Sequence, residues 1–144
     1  MGLMRIAQAP VVTVTPQTTV IQAVRTMDQE GIGAVAVIDR GFLCGIFSER
    51  DLMLRVVLQQ RDPQTTRMKE VMSFPVETIS RNATVDEALK HMLEKHIRHL
   101  PVVTNDGRPA GMLSIRNLLY EKVEDLTDQL DSLEAYFTAD GIGG

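Results

Sequence analysis

The sequence predicts an α+β protein built from two β-α-β-β-α repeats, packed sheet to sheet with pseudo-two-fold symmetry and extended by a C-terminal helix. Three observations carry this. Pro10-Val11-Val12-Thr13-Val14 returns as Pro75-Val76-Glu77-Thr78-Ile79, and the same offset of 65 carries Thr19-Val20, Ala23, Met27, Ile32 and Val37 onto Thr84-Val85, Ala88, Met92, Ile97 and Val102. After one inserted residue, Gly45-Ile46-Phe47-Ser48-Glu49-Arg50-Asp51-Leu52 falls onto Gly111-Met112-Leu113-Ser114-Ile115-Arg116-Asn117-Leu118. Glycines, prolines and helix starts stay in step, which two unrelated amphipathic stretches would not do. Finally, one copy is too small to bury both faces of its sheet, whereas two copies packed together can.

Each repeat opens with a short strand, Val11–Val14 or Val76–Ile79. A helix follows, because Val20, Ala23, Val24 and Met27, like Val85, Ala88, Leu89 and Met92, recur at i, i+3, i+4 and i+7. Thr19 with Gln22, and Thr84 with Glu87, have capping-box spacing. Two hairpins come next, 34–39 with 42–47 and 99–104 with 109–113, turned by Asp39-Arg40-Gly41 and Asn105-Asp106-Gly107. A second helix starts at Ser48 or Ser114. Polar residues 59–66, with Pro63, form the linker. The expected division is residues 1–62 for the first repeat, 63–123 for the second, and 124–144 for a C-terminal amphipathic helix extension and tail, frayed from Ala139 to Gly144.

The 144 residues are 44% hydrophobic and 24% charged, a globular balance that supports a core without staples. Cys44 stands alone, which rules out an internal disulfide and fits a reducing compartment. The first twenty residues lack a signal-peptide apolar run, and no stretch approaches ~18 apolar residues, so a cytoplasmic protein without membrane association is expected. A net charge of −4 and the scarcity of aromatic residues argue against nucleic acid as a partner. No serine has a matching His–acid set and no loop has P-loop spacing, so the chain is not expected to be an enzyme. His91, His96 and His99 are wrongly spaced for one metal site, and none is expected.

The doubled plan, the strand His99-Leu100-Pro101-Val102-Val103, the element Gly45 to Asp51 and the segment Met68 to Val76 together resemble a tandem pair of cystathionine-β-synthase (CBS) domains, the Bateman module, in its stand-alone form. The similarity spans roughly residues 6 to 123. It implies no obligatory cofactor but a regulatory adenosine ligand (AMP, ADP, ATP, S-adenosylmethionine or NAD) bound between the repeats. It also implies a flat, disk-like homodimer and a possible regulated protein partner.

The resemblance assigns Ser48 and Asp51 to one cleft, with Ser73, Val76 and Glu77 from the other copy; Arg50 and Arg116 recur at matching positions and either contact ligand or only cover the helix starts. A carboxylate can accept from two ribose hydroxyls, and a helix start with a serine suits phosphate. Ser48 with Asp51 is equally an ordinary helix cap, so a dual role is expected. The second cleft gathers Arg98, His99, Ser114 and Asn117 with residues 8–12. Asn117 replaces the expected acid, Ala36 replaces the strand proline seen at Pro101, and Gly33-Ala34 replace Arg98-His99. Two unlike clefts are therefore expected: an Asp51 cleft short of cations, and an Arg98-His99 cleft without the acid. The alternative is a constitutive dimerisation module with degenerate ligand sites.

The last helix departs from the repeat. Leu119, Val123, Leu126, Leu130, Leu133 and Phe137 follow 4-3-4-3-4 spacing, a coiled-coil-like seam of under three heptads, with Glu121, Glu124, Asp125, Asp128, Asp131 and Glu134 elsewhere. It either packs on its own domain, completes a dimer, or presents an acidic face to a partner.

Overall fold

A computed structural model describes the chain from Gly2 to Phe137, with side chains as far as Tyr136. The tail at 139–144 and the Phe137 side chain lie outside the described residues.

The doubled plan resolves into two three-stranded sheets, ordered β1-β2-β3 and β4-β5-β6. The first comprises β1 (Thr13–Val14), β2 (Ala34–Asp39) and β3 (Phe42–Ser48); the second β4 (Ile79–Ser80), β5 (His99–Val103) and β6 (Pro109–Ser114). In each, the first pair is parallel and the second antiparallel. The pairing Val14–Val37 becomes Ile79–Val102, and the hairpin irregularity after Val37 recurs after Val102. The helices α1 (Val20–Glu30) and α4 (Val85–Lys95) start at Thr19 and Thr84 with full capping boxes. Residues 42–48 and 99–103 keep their expected ladders to within a residue, but β1 and β4 are only two residues long. Val12 still accepts from the Ala36 N–H at 3.1 Å, while the chain before Pro10 and Pro75, which have no N–H to give a ladder, is paired elsewhere.

That upstream pairing is exchanged between the copies. Gln8 and Met112 trade backbone hydrogen bonds (2.9 and 3.0 Å), and the equivalent Ser73 and Ile46 do the same (2.8 and 3.0 Å). Each lead-in segment thus extends the sheet of the other repeat. The cores follow: Leu3, in a turn spanning Leu3–Arg5, joins the cluster of Ala88, Met92, Leu100, Val102, Leu113 and Leu118, while Met68 and Val71 of α3 (Met68–Val71) join that of Val20, Val35, Val37, Phe47 and Val56. Gly45 and Gly111 permit the approach. A Cβ at Gly45 would overlap Met72 Sδ, and one at Gly111 would meet the Gln8 carbonyl at 2.9 Å.

Val35 and Val37 face the helix-side cluster, yet Ala34 and Ala36 on the opposite face of β2 are buried as well. In the second sheet Pro101, the counterpart of Ala36, and Met112, its partner in the ladder, are buried likewise. Each sheet is covered on both sides, and the alanines keep the sheet-facing layer thin. The linker is also docked: the Thr66 and Pro63 carbonyls accept from Val20 and Ile21 N–H at 2.8 and 2.9 Å, satisfying donors that a helix start leaves free.

The second helices differ. After α2 (Glu49–Asp51), Leu52–Val57 widens to hydrogen bonds five residues apart, as in Leu58 N–H to Met53 O at 2.9 Å. Its counterpart α5 runs unbroken from Ile115 to Phe137. Leu119, Val123, Leu126, Leu130 and Leu133 on α5 are exposed, so the described chain does not fold its own domain over them.

Candidate functional site

Asp51 is only 7% exposed, and both its oxygens are engaged. The Ser48 N–H and Oγ donate to Oδ2 at 3.0 and 3.2 Å, and the Asp51 N–H returns to Ser48 Oγ at 3.4 Å. Ser73 Oγ, on the exchanged segment, donates to Oδ1 at 2.8 Å. Arg55, one turn along, lies 3.6 Å from Oδ1 and donates to the Met72 carbonyl at 2.9 Å. The Asp51 side therefore does not lack a cation, contrary to the sequence reading. Arg55 sits at i+4 from Asp51, a spacing that pairs opposite charges on a helix and could have revealed it. Together these groups tie the cap of the first repeat to the segment leading into the second.

The second repeat lacks this tie. The Asn117 N–H still donates to Ser114 Oγ at 3.1 Å, so the cap survives. In place of Arg55 stands Glu121, ion-paired to Arg5 of the lead-in turn. Beside this cap lies a cavity of about 790 Å³, lined by Gln8, His99, Ser114, Arg116, Asn117 and Tyr120 together with Glu49, Gly33, Ala34 and the C-terminal end of α1. Val24, Met27, Ile32, Leu52 and Met112 give it an apolar wall, while Asp28 and Glu49 bring carboxylates. This volume is within the range of small-molecule sites, and the mixture of an apolar wall with a few polar groups is what such a site requires.

The copies interlock here. His99 and Glu49 converge over Gly33, where a Cβ would stand 2.5 Å from Glu49 Oε1 and 3.0 Å from His99 Nε2. The Gly33-Ala34 departure from the repeat is thus filled by side chains from both copies. Burial holds the His99 imidazole below its ordinary value of 6.5; the Glu49 carboxylate opposes this shift and the Arg98 charge adds to it.

The expected residues divide into three groups. Ser48, Asp51 and Ser73 meet one another; His99, Ser114, Arg116 and Asn117 line the cavity with Gln8. The rest stand apart. Glu77 bonds His91 Nε2 at 3.1 Å and lies 3.9 Å from Lys95 Nζ, both on α4. Val76 is half-buried, and Arg50 and Arg98 are exposed and outside the cavity lining. Glu49, Asp28 and Tyr120 line the cavity without having been singled out. Only Glu49 carried a signal, its place directly after the capping serine.

Two stretches, residues 3–58 and 68–124, each match the family model described as CBS domain. An uncharacterized protein of Methanopyrus kandleri is 34% identical over 115 residues, covering 79% of this chain and 59% of its own. The chain spans about three fifths of the length of the first two curated relatives it matches. A putative signal-transduction protein with CBS domains from Burkholderia ambifaria superposes with a TM-score of 0.80 at 34% identity, over 87% of this chain and 96% of that one. A CBS domain protein from Pyrobaculum aerophilum, solved in complex with AMP, gives 0.78 at 25% identity, over 88% and 97%. No helix among the described residues is long and apolar enough to cross a membrane.

Proposed function

The chain belongs to the CBS-domain family, and on that premise we propose that it is a regulatory module binding an adenosine nucleotide in the cavity between its copies. The cavity carries the reading: its apolar wall suits a base, Asn117 and Asp28 suit ribose hydroxyls, and Ser114 Oγ, Arg116 and His99 suit phosphate. The AMP-bound Pyrobaculum structure supports an adenosine ligand. The proposal extends to a cytoplasmic homodimer whose contact with a regulated protein shifts on binding, since a ligand moves an equilibrium only by preferring one state.

Calorimetric titration with AMP, ADP, ATP, S-adenosylmethionine and NAD tests this. At least one adenosine nucleotide is expected to bind, and Arg116→Ala to weaken it by tenfold or more, the worth of one charge-assisted hydrogen bond. Silence with every ligand would leave the second reading, a constitutive assembly module. That reading draws on Asp51, whose carboxylate is already spoken for within the protein.

His99 adds a pH signature. Its lowered value means that the unfolded chain takes the proton first, so stability is complete above 6.5 and falls as pH drops below it toward the folded value. A phosphate beside the ring would raise that value again, so nucleotide affinity is expected to increase as pH falls through the same window. Titrations at several pH values, with His99→Gln as control, check both slopes; a variant that keeps them would assign them to another group.

A further inference from the structure

We propose, on the premise of the nucleotide reading above, that Glu49, with Asp28, limits the cavity to an adenosine ligand carrying a single phosphate, so that the chain selects the monophosphate over the di- and triphosphate. Size sets no such limit, since about 790 Å³ lies well up the range of small-molecule sites. Charge does. The charged residues of the lining are Asp28, Glu49 and Arg116, two carboxylates against one guanidinium. Among the described residues neither carboxylate is ion-paired to a lysine or arginine. His99 adds no positive charge at neutral pH, because burial holds its value below 6.5. Arg50 and Arg98 stand outside the lining.

Glu49 stands beside the phosphate-binding groups. Its Oε1 and the His99 Nε2 lie 2.5 and 3.0 Å from the position a Gly33 Cβ would take, so carboxylate and ring share one corner of the cavity. The backbone anchors the acid there, because the Glu49 N–H donates to the Gly33 carbonyl at 3.0 Å. In the other repeat Ile115 makes the same bond, to the Arg98 carbonyl at 2.8 Å, but carries no charge. An acid of one copy is thus set against the phosphate-binding groups of the other. One phosphate finds Ser114 Oγ, Arg116 and His99 as partners. A second or third finds no further cation in the lining and meets Glu49 instead.

Each phosphate beyond the first brings about one more negative charge. That charge faces two carboxylates and one guanidinium, a net of one repulsion. Two unit charges about 6 Å apart change an affinity by roughly three- to a hundredfold, from water-like to part-buried screening. The triphosphate is therefore expected to bind at least tenfold more weakly than the monophosphate, with the diphosphate between them. The gap is electrostatic, so salt should narrow it.

Calorimetric titration of the full chain with AMP, ADP and ATP at alkaline pH, with chelator in place of divalent cations, tests the proposal. AMP is expected to bind at least tenfold more tightly than ATP, and the preference to shrink between ~0.05 M and ~0.5 M salt. Glu49→Gln is expected to reduce the preference threefold or more, and Asp28→Asn to reduce it in the same direction. Asp131→Asn, which removes an exposed acid from the far part of α5, should leave the preference unchanged. ATP binding as tightly as AMP to the wild type, or a preference untouched by Glu49→Gln, would overturn the proposal while leaving nucleotide binding in place. Binding of none of the three would overturn the nucleotide reading, and the selectivity with it.

Discussion

Leu3→Ala is expected to destabilise the second repeat by about 2–5 kcal/mol, although Leu3 lies at the opposite end of the chain from it. The side chain is fully buried among Ala88, Met92, Leu100, Val102, Leu113 and Leu118. Its removal leaves a cavity in a cluster held in place on both sides by sheet and helix, where collapse is limited. For a chain of this size the midpoint of thermal unfolding should fall by on the order of 10 °C. Hydrogen exchange locates the effect: amides of β5 and β6 are expected to lose more protection than those of β2 and β3. Met68→Ala should reverse the pattern, since Met68 is buried in the first cluster. A change within about 0.5 kcal/mol, as for an ordinary surface residue, would mean that the exchanged lead-in segments contribute no core.

The exchange shows where sequence reasoning reaches and where it stops. Helices α1 and α4 were legible because their stripes and capping boxes are local, written within a few residues. The hairpins were legible because apolar runs flank the turns Asp39-Arg40-Gly41 and Asn105-Asp106-Gly107, in which Gly41 and Gly107 take positive φ. The pairing of Gln8 with Met112 and of Ser73 with Ile46 joins residues far apart in the chain, and no local period records it. Its one local trace is glycine inside a strand, at Gly45 and Gly111, which marks close approach of another segment. At the candidate site, Ser114, Asn117 and the capping pair Ser48–Asp51 follow from the repeat itself. Arg55 and Glu49 do not, because the repeat places Glu121 and Ile115 at their counterparts. Residues that differ between copies are those a repeat-based reading ranks lowest, and here they distinguish the two sides.

Asp51→Ala is expected to act on stability before it acts on ligand. The Asp51 N–H keeps its bond to Ser48 Oγ, but the Ser48 N–H and Oγ lose Oδ2 as their acceptor, at about 1 kcal/mol. The substitution also strips Ser73 Oγ of its acceptor and Arg55 of its carboxylate, and polar groups left unpaired in a part-buried site cost about 1–3 kcal/mol more. A total of about 2–4 kcal/mol follows, measurable by urea unfolding. Ser73→Ala should reproduce part of the loss, and the double variant should cost less than the sum of the singles, because both remove the same bond. Asn117→Ala is the contrasting case. Its backbone N–H makes the bond to Ser114, so the side chain can go with a stability change of under about 1 kcal/mol, while nucleotide affinity in the cavity falls. The opposite pattern, a stable Asp51→Ala protein that no longer binds nucleotide beside an Asn117→Ala protein that binds normally, would move the ligand to the Asp51 side. That outcome would require Ser73 and Arg55 to release the carboxylate to the ribose, turning the tie between repeats into the switch itself.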